Sequence, residues 1–349
     1  MILTRSASNP ILTRDDIPDV APDVIDVTSV FNPGAAVVDG RHLLLLRVQT
    51  RGRRTHLMMA ESRLGATGDP GVDFDVRPEL VELIGFERMG ETVHHVYDPR
   101  ITRVDGTWHV VLAVDVDSTC RLAVARTDDF RRLELVGAVG EGRDDGASAP
   151  EGASSVQADT ARAWDAVRNG VLFPERIGGR YAMLLRPNRV SAGEGLTSGD
   201  TITLATSEDL RSWRDDGDVM SGRWHYWDEF IGPGPPPIKT REGWLLVYHG
   251  IATHLVGSWI YQAGVVLLDL DDPTRVIARG RDNVLEPRET WEMTGQVPNV
   301  VFPSGLTVDT AADGFAEAGS ELRLYYGAAD TCVGLATTTV GRLLEACRR

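Results

Sequence analysis

One pattern of residues recurs five times along the 349-residue chain, and this repetition restricts the fold more than any other feature of the sequence. Each copy has a turn, an apolar strand segment, a polar stretch and a second strand segment with small residues. The first segments are DGRHLLLLRVQ (39–49), DGTWHVVLAVD (105–115), GGRYAMLLRPN (178–188), EGWLLVYHG (242–250) and ELRLYYGAAD (321–330). The glycines that open copies one to four are 66, 73 and 64 residues apart, enough for a four-stranded sheet with variable loops.

Five similar sheets predict an all-β protein, a five-bladed β-propeller in which residues 1–349 form a single domain, because radial repetition leaves few exposed strand edges. A pair of β-sandwiches is the alternative, but five similar units fit it poorly. The segment VGRLLEACRR (340–349) predicts a short C-terminal helix. Residues 141–162 are rich in Gly, Ala, Ser and Asp, which is typical of a flexible insertion.

Composition excludes several classes of function. The formal net charge of −15 argues against a nucleic-acid partner, although a few cations can still converge on an anionic substrate. The three cysteines have no metal-binding or disulfide spacing, and we expect reduced thiols and no metal. The absence of a secretory signal and of long apolar runs predicts a cytoplasmic protein with no membrane partner.

Polar residues stand at or just past the end of each first segment. If the repeated strands line the channel of a propeller, these residues converge on one funnel. Three of the five are cationic or can become so, as an anion pocket requires, although unrelated polar residues could also end the strands. The five are Arg47, Asp115, Arg186, His249 and Asp330.

The segment HHVYDPRIT (94–102) places a carboxylate just before the second copy. Pro99 biases Asp98 toward an extended conformation, which could direct its carboxylate into the funnel. The alternative is a turn in which Asp98 pairs with Arg100. The motif by itself leaves both interpretations open.

Two further segments carry candidate binding residues. In IGPGPPPIKTREGWLLVYHG (231–250), glycines and prolines form a rigid approach that brings Lys239 to a strand end, although a stiff connector would look similar. In GRWHYWDEF (222–230), aromatic rings suited to sugar stacking precede two carboxylates, and packing in the blade core competes for the same rings.

With these motifs in place, the sequence resembles glycoside hydrolase family 130, the β-mannoside phosphorylases and related mannosidases, nearly from end to end. The forms FNPG, GRWHYWDE and IYQAG are most similar to the branch of 4-O-β-D-mannosyl-D-glucose phosphorylases. The segments that carry the resemblance are DVTSVFNPGA (26–35), YDPRIT (97–102), NGVLFPERIGGRYAMLLRPN (169–188), GPPPIKTREGWLLVYHG (234–250), YQAGVVLLDLDDP (261–273), GQVPNVVFPSG (295–305) and YYGAAD (325–330).

The resemblance implies a role for each matching residue. Asp98 is the expected general acid. The expected phosphate pocket comprises Arg47, Arg186, Lys239 and His249, with His254 as an alternative to His249. The expected substrate-binding residues are Asn32, Arg100, Tyr226, Asp228 and Asp330.

The implied reaction is an inverting phosphorolysis, which makes the chain a glycosyltransferase of the phosphorylase type. Phosphate is already an anionic nucleophile, so such an enzyme needs one acid and several cations where an inverting hydrolase needs two carboxylates. The substrates would be a β-1,4-mannoside and phosphate, the product α-mannose 1-phosphate, with no cofactor and with homo-oligomers as an analogy. Alternatives are a mannooligosaccharide phosphorylase, an inverting β-mannosidase with Glu229 activating water, and a non-catalytic sugar-binding propeller.

Overall fold

The structure is a computed structural model that describes residues 2–63, 71–139, 167–188, 190–191, 197–253 and 259–349, with residues 190, 191 and 197 described for the backbone alone. The expected insertion at 141–162 and the alternative histidine, His254, lie outside these ranges. Within them, none of the helices combines the length and the apolar character needed to cross a membrane.

Five sheets, antiparallel except at the outer edge of the second, follow one another along the chain, as the repeats predict. Strand β1 (Thr4–Arg5) comes first in the chain but belongs to the last sheet. Blade 1 contains β2 (Val27–Val30), β3 (Gly34–Val38), β4 (Arg41–Thr50), β5 (Thr55–Ser62) and β6 (Phe74–Leu80). Blade 2 contains β7 (Glu82–Ile84), β8 (Val93–Val104), β9 (Thr107–Val116), β10 (Cys120–Thr127) and β11 (Arg132–Ala138), with β7 parallel to β11 at the outer edge.

The remaining blades have the same order from the axis outward. Blade 3 contains β12 (Val167–Leu172), β13 (Tyr181–Pro187), β16 (Thr201–Ser207) and β17 (Trp213–Ser221), beside a small ribbon of β14 (Val190–Ser191) and β15 (Thr197–Ser198). Blade 4 contains β18 (Phe230–Pro233), β19 (Ile238–Thr240), β20 (Gly243–Thr253), β21 (Trp259–Leu268) and β22 (Val276–Arg279). Blade 5 contains β23 (Val301–Val308), β24 (Glu321–Ala328), β25 (Cys332–Thr339) and, as its outermost strand, β1.

Apolar side chains fill all five interfaces between neighbouring blades. One cluster joins blades 1 and 2, and others join blades 2 and 3, 3 and 4, 4 and 5, and 5 and 1. Because the fifth interface returns to the first blade, the sheets form a closed ring. This confirms the five-bladed propeller.

Short helices complete the structure. Helix α1 (Thr290–Met293) precedes blade 5, and α2 (Val340–Cys347) confirms the expected C-terminal helix. Val340, Leu343 and Leu344 of α2 join the core between blades 4 and 5. Two 3-10 turns cover Arg14–Asp16 and Phe86–Met89.

The repeated strands are not the ones that line the axis. In every sheet the strand of the repeat (β4, β9, β13, β20 or β24) is second from the axis, and a preceding strand is innermost. The innermost positions belong to β2 with β3, to β8, to β12, to β18 with β19, and to β23, several of which contact one another from blade to blade. The assignment of the repeated strands to the channel wall is therefore corrected.

Candidate active site

A pocket of about 270 Å³ occupies one mouth of the central channel, and every blade contributes to it. Innermost strands and the ends of second strands supply part of the lining. The rest comes from β15, from the start of β21 and from the segment that precedes β23. Three arginines and two aspartates stand among polar and aromatic side chains. The lining residues are Asn32, Arg47, Asp98, Arg168, Asn169, Arg186, Ser198, Trp259, Tyr261, Val297, Val300, Phe302 and Asp330.

Asp98 enters the pocket from a β-bulge on β8. Tyr97 pairs with Ala113 and Arg100 with Val111, so two residues of β8 face one residue of β9. Asp98 has φ of 53°, in the left-handed region, and the expectation of an extended backbone is wrong. Such a conformation costs on the order of 1–3 kcal/mol and persists where the surroundings impose it. Here the bulge directs the carboxylate, which is 14% exposed, toward the pocket.

Arg100 lies beneath this bulge and does not line the pocket, which corrects its expected contact with substrate. Its side chain is almost completely buried near the axis. Nη1 donates to the Asp98 carbonyl at 2.8 Å, and Nε donates to the Gly234 carbonyl at 3.0 Å. Burial lowers the pKa of Arg100 to about 10, against the opposing effect of Asp98, so the guanidinium stays charged at neutral pH. Arg100 therefore fixes the backbone that carries the expected acid.

Arg47 stands beside Asp98, with 3.7 Å between Arg47 Nη1 and Asp98 Oδ1. Its guanidinium carbon lies 4.1 Å from the ring centroid of Phe31 and 4.7 Å from that of Tyr97. Its buried Nε has no hydrogen-bond partner among the described residues. Arg47 therefore offers a free donor beside the expected acid.

Arg186 lines the pocket from the end of β13, and His249 supports it from behind. His249 is completely buried, and burial, followed by the charges of Arg186 and Arg100, lowers its pKa well below the ordinary value. A neutral ring fits the 3.2 Å contact in which Arg186 Nη1 donates to His249 Nε2. The expectation that His249 adds a positive charge to the pocket is corrected, because it orients Arg186 as a neutral base.

Arg168 and Asn169 were missed by sequence reasoning. Both belong to β12, the innermost strand of blade 3, which precedes the repeated pattern. When the Asn169 amide is oriented so that both its nitrogen and its oxygen form hydrogen bonds, the nitrogen donates to the Pro233 carbonyl at 3.0 Å. The oxygen then accepts from Arg100 Nη2 at 2.5 Å. The available signal was the matched segment 169–188, which begins at Asn169 and directly follows Arg168.

Asp330 faces Arg47 and Asp98 from the turn after β24. Burial raises its pKa to about 6, with Arg47 acting to lower it and Asp98 to raise it further. Like Asp98, it has a left-handed backbone, with φ of 51°. Asn32 lines the same pocket, and its buried amide nitrogen finds no partner within the described part of the chain. Together Asp330 and Asn32 offer an acceptor and a donor for sugar hydroxyls.

An aromatic wall completes the pocket. Trp259 stacks on Phe230 with 6.2 Å between ring centroids, and Tyr261 lies 6.0 Å from Phe302. Burial raises the pKa of Tyr261 to about 12, so its hydroxyl keeps its proton at neutral pH. Aromatic rings beside hydrogen-bonding groups suit a sugar ring, which has apolar faces and a polar edge.

Lys239 lies at the opposite mouth of the channel, and its expected place in the phosphate pocket is corrected. It pairs with Trp244 on β20, and His249 is five residues further along that strand, roughly 17 Å away at about 3.4 Å per residue. There it bonds to Glu175 at 2.6 Å and lines a second cavity of about 360 Å³. The segment rich in glycine and proline does bring Lys239 to a strand end, but to the end that lies away from Asp98.

The aromatic and acidic cluster at 222–230 is also separate from the pocket, except for Phe230, which stacks on the lining residue Trp259. Asp228 is completely buried, where it accepts from Arg223 at 2.8 Å and from Arg279 at 2.6 Å. The Tyr226 hydroxyl donates to Asp282 at 3.3 Å. Neither Tyr226 nor Asp228 lines the pocket, so their expected contact with substrate is corrected. This segment fastens a loop to blade 4.

Asp228→Asn is therefore expected to lower the free energy of unfolding and to leave the KM for sugar unchanged. Removing one charge of a buried ion-pair network leaves its partners uncompensated, at a cost on the order of 3 kcal/mol. Urea unfolding and initial rates measure the two effects. Tyr226→Phe is the control, with little change in either. A raised KM at unchanged stability would return Asp228 to the substrate site.

Glu229, the base expected for a hydrolase, lies outside the lining as well. It is buried and accepts from the Thr253 hydroxyl at 2.6 Å. Over the described ranges, no group of three His, Cys, Asp or Glu side chains could hold a metal ion. The chemistry that this pocket offers thus rests on two carboxylates and three guanidinium groups.

Comparison with known proteins gives a match over almost the whole chain. The family model of glycoside hydrolase family 130, described as beta-1,4-mannooligosaccharide phosphorylase, matches residues 5–349. A beta-1,4-mannooligosaccharide phosphorylase of Ruminococcus albus is 29% identical over 99% of this chain and 90% of its own length. A 4-O-beta-D-mannosyl-D-glucose phosphorylase of Bacteroides fragilis is 27% identical over 98% of this chain and 82% of its own.

Solved structures share the fold. The beta-1,2-mannobiose phosphorylase of Listeria innocua, solved in complex with beta-1,2-mannobiose, superposes with a TM-score of 0.74 at 24% identity. The match covers 100% of this chain and 99% of that one. The named activities of these three proteins differ in the linkage or in the sugar that leaves.

Proposed function

Because the chain belongs to glycoside hydrolase family 130, we propose that it transfers a mannosyl group from a β-mannoside to inorganic phosphate. The observation that carries the proposal is the convergence of Arg47, Arg168 and Arg186 on one small pocket beside Asp98. Each of the three has a buried Nε with no hydrogen-bond partner in the described ranges. A buried donor without a partner costs about 1–3 kcal/mol, and the oxygens of a bound phosphate would satisfy all three.

The proposed reaction divides between the two sides of the pocket. A phosphate oxygen held by the arginines attacks the anomeric carbon and forms the new carbon–oxygen bond. The glycosidic bond breaks, and the departing oxygen takes a proton from Asp98, directly or through the mannosyl 3-hydroxyl. Attack opposite to the leaving group inverts the anomeric carbon and gives α-mannose 1-phosphate with a free sugar. Phosphate is a co-substrate, and no cofactor enters.

Hydrolysis is the second candidate, because Asp330 places another carboxylate in the same pocket. An inverting hydrolase uses its second carboxylate to activate water. Asp330 faces Arg47, and three arginines give a neutral water molecule no advantage, so we favour phosphorolysis.

For the substrate we propose a β-1,4-mannoside, with 4-O-β-D-mannosyl-D-glucose to be tested first and β-1,4-mannooligosaccharides second. Two of the three segments that resemble the mannosyl-glucose branch reach the pocket, FNPG through Asn32 and IYQAG through Tyr261. The third segment, GRWHYWDE, does not line the pocket, so it gives no support to glucose as the leaving sugar.

For the cellular location we propose the cytoplasm. The buried free thiols of Cys120, Cys332 and Cys347 support a reducing, cytoplasmic location.

The deciding experiment measures cleavage of 4-O-β-D-mannosyl-D-glucose, β-1,4-mannobiose and β-1,2-mannobiose with and without phosphate. We expect turnover that requires phosphate and releases mannose 1-phosphate. The reverse reaction, from α-mannose 1-phosphate and a panel of acceptors, then identifies the leaving sugar by the linkage of the product. Equal turnover without phosphate would establish a hydrolase, and sugar binding without any product a binding protein.

The pH dependence should report Asp330. Burial outweighs the effect of Arg47 and raises the pKa of Asp330 to about 6, which lies inside the pH range in which enzymes are assayed. The ionised carboxylate accepts hydrogen bonds from sugar hydroxyls through both oxygens, whereas protonation turns one oxygen into a donor, so kcat/KM for the mannoside should fall as the pH drops through about 6. Asp330→Asn should lower kcat/KM and remove this acid limb. An unchanged limb in that variant would assign it to another group.

A further inference from the structure

A buried tyrosine supports Arg47 from below. Tyr97 belongs to β8, immediately before Asp98, and its ring lies 4.7 Å from the Arg47 guanidinium carbon. The Phe31 ring lies 4.1 Å from the same carbon, so two aromatic rings hold much of the Arg47 guanidinium group. Since the buried Arg47 Nε has no partner in the part of the chain that the structure describes, the position of the Tyr97 ring strongly influences where the guanidinium points.

The Tyr97 ring is in turn anchored through its hydroxyl, which donates to Asp115 Oδ1 at 2.6 Å. Cys120 Sγ lies 3.3 Å from the same hydroxyl oxygen. Burial raises the pKa of Tyr97 far above its ordinary value, so the hydroxyl remains a donor throughout the range in which enzymes are assayed. Asp115 is held in place by the sheet, because it pairs with His95 on one side and with Cys120 on the other.

Asp115 also acts on the second arginine of the pocket. It lines a shallow cavity of about 350 Å³ together with Arg168, and its charge is among those that act on that guanidinium. One carboxylate outside this pocket thus acts on two of its cations, on Arg47 through the Tyr97 ring and on Arg168 through its charge. Among the strand-end residues singled out in the sequence, Asp115 is the one to which no role was assigned.

We infer that Asp115 and Tyr97 are positioning residues, which act through the ring of Tyr97 to hold Arg47 against Asp98 and Asp330. The consequence for phosphate binding rests on the proposed function, whereas the consequence for Asp330 holds for either nucleophile. Asp330 faces Arg47, Asp98 and Tyr261, and of these Arg47 alone carries positive charge. A displaced Arg47 therefore leaves the ionised form of Asp330 less stable.

The test is the pH profile of kcat/KM in Tyr97→Phe and Asp115→Ala. Both should move the acid limb from near pH 6 upward by about half a unit or more, since removing an opposite charge raises the pKa of a carboxyl group. Both should raise the KM for phosphate by about three- to tenfold, as the loss of part of a charged hydrogen bond implies. Asp115→Asn retains an oxygen that can accept the hydroxyl proton, and should restore most of the wild-type profile.

Tyr326→Phe is the matched control. The Tyr326 hydroxyl donates to Glu292 Oε1 at 2.8 Å, another buried tyrosine–carboxylate pair, in blade 5 and away from the pocket lining. It should cost stability without moving the acid limb or the KM for phosphate.

Either of two outcomes would contradict the inference. A wild-type acid limb in folded Tyr97→Phe overturns it, and so does an equal shift in Tyr326→Phe. If Tyr97→Phe does not fold, Asp115→Ala, which leaves the ring in place, decides by the same criterion. If the wild-type enzyme proves to be a hydrolase, the acid limb is measured on hydrolysis, so failure of the proposed function does not obscure this result.

Discussion

Asp98→Asn is expected to lower kcat for phosphorolysis by about 10²- to 10⁴-fold, the usual contribution of a general acid. Asparagine keeps the shape of the side chain and tolerates the left-handed backbone at φ of 53°, so the bulge should survive. The amide cannot protonate the leaving oxygen. Initial rates of mannose 1-phosphate release measure the loss, and calorimetry with phosphate should show that binding persists.

The control is Asp39→Asn. Asp39 has φ of 49°, also in the left-handed region, but lies in the exposed turn between β3 and β4. It should retain wild-type rates and stability. If Asp98→Asn kept near-wild-type turnover, another group would have to supply the proton, and the assignment would fall.

Arg186→Ala is expected to raise the KM for phosphate by about ten- to a hundredfold. Hydrogen bonds to a charged group contribute about 1.5–3 kcal/mol, and each 1.4 kcal/mol is a factor of ten in affinity. Arg186→Lys should recover little, because an ammonium group cannot reproduce the planar pair of donors that fits phosphate. Phosphate titrations at saturating mannoside measure the change.

The variant Lys239→Ala distinguishes the position of Lys239 in the structure from the position that the family resemblance implies. The resemblance places Lys239 in the phosphate pocket, and the structure places it at the opposite mouth with Glu175. We expect an unchanged KM for phosphate in this variant. A large increase there, with little effect of Arg186→Ala, would reverse the assignment of the two residues.

The number of blades followed from the sequence because the second strand of each blade is regular and apolar, and therefore repeats visibly. The innermost strands do not repeat in this way. Blade 1 divides its innermost position between β2 and β3, and blade 4 divides it between β18 and β19. Arg168 and Phe302, which lie on other innermost strands, were missed for the same reason.

The residues expected from the sequence that do line the pocket include those at the ends of second strands, such as Arg47 and Arg186, and the expected acid of the YDPR segment, Asp98. Lys239 was misplaced because antiparallel neighbours alternate in direction, so a strand end indicates a mouth of the channel but not which of the two. Asp228 was misassigned because a sugar site and a buried ion-pair network use the same residue types. Only three-dimensional contacts distinguish them.

The ring is closed by its first strand. Thr4 pairs with Thr337 and Arg5 with Ala336, and the Arg5 side chain bonds to Glu292 at 2.7 Å. These contacts join residues more than 280 positions apart, so the two ends of the chain must meet before blade 5 is complete, at an entropic cost that grows slowly with the length of the closed loop. Since all five blades contribute to the pocket, a chain still emerging from the ribosome holds most of the lining residues but no complete pocket. Activity in this protein is therefore a measure of ring closure as much as of chemistry.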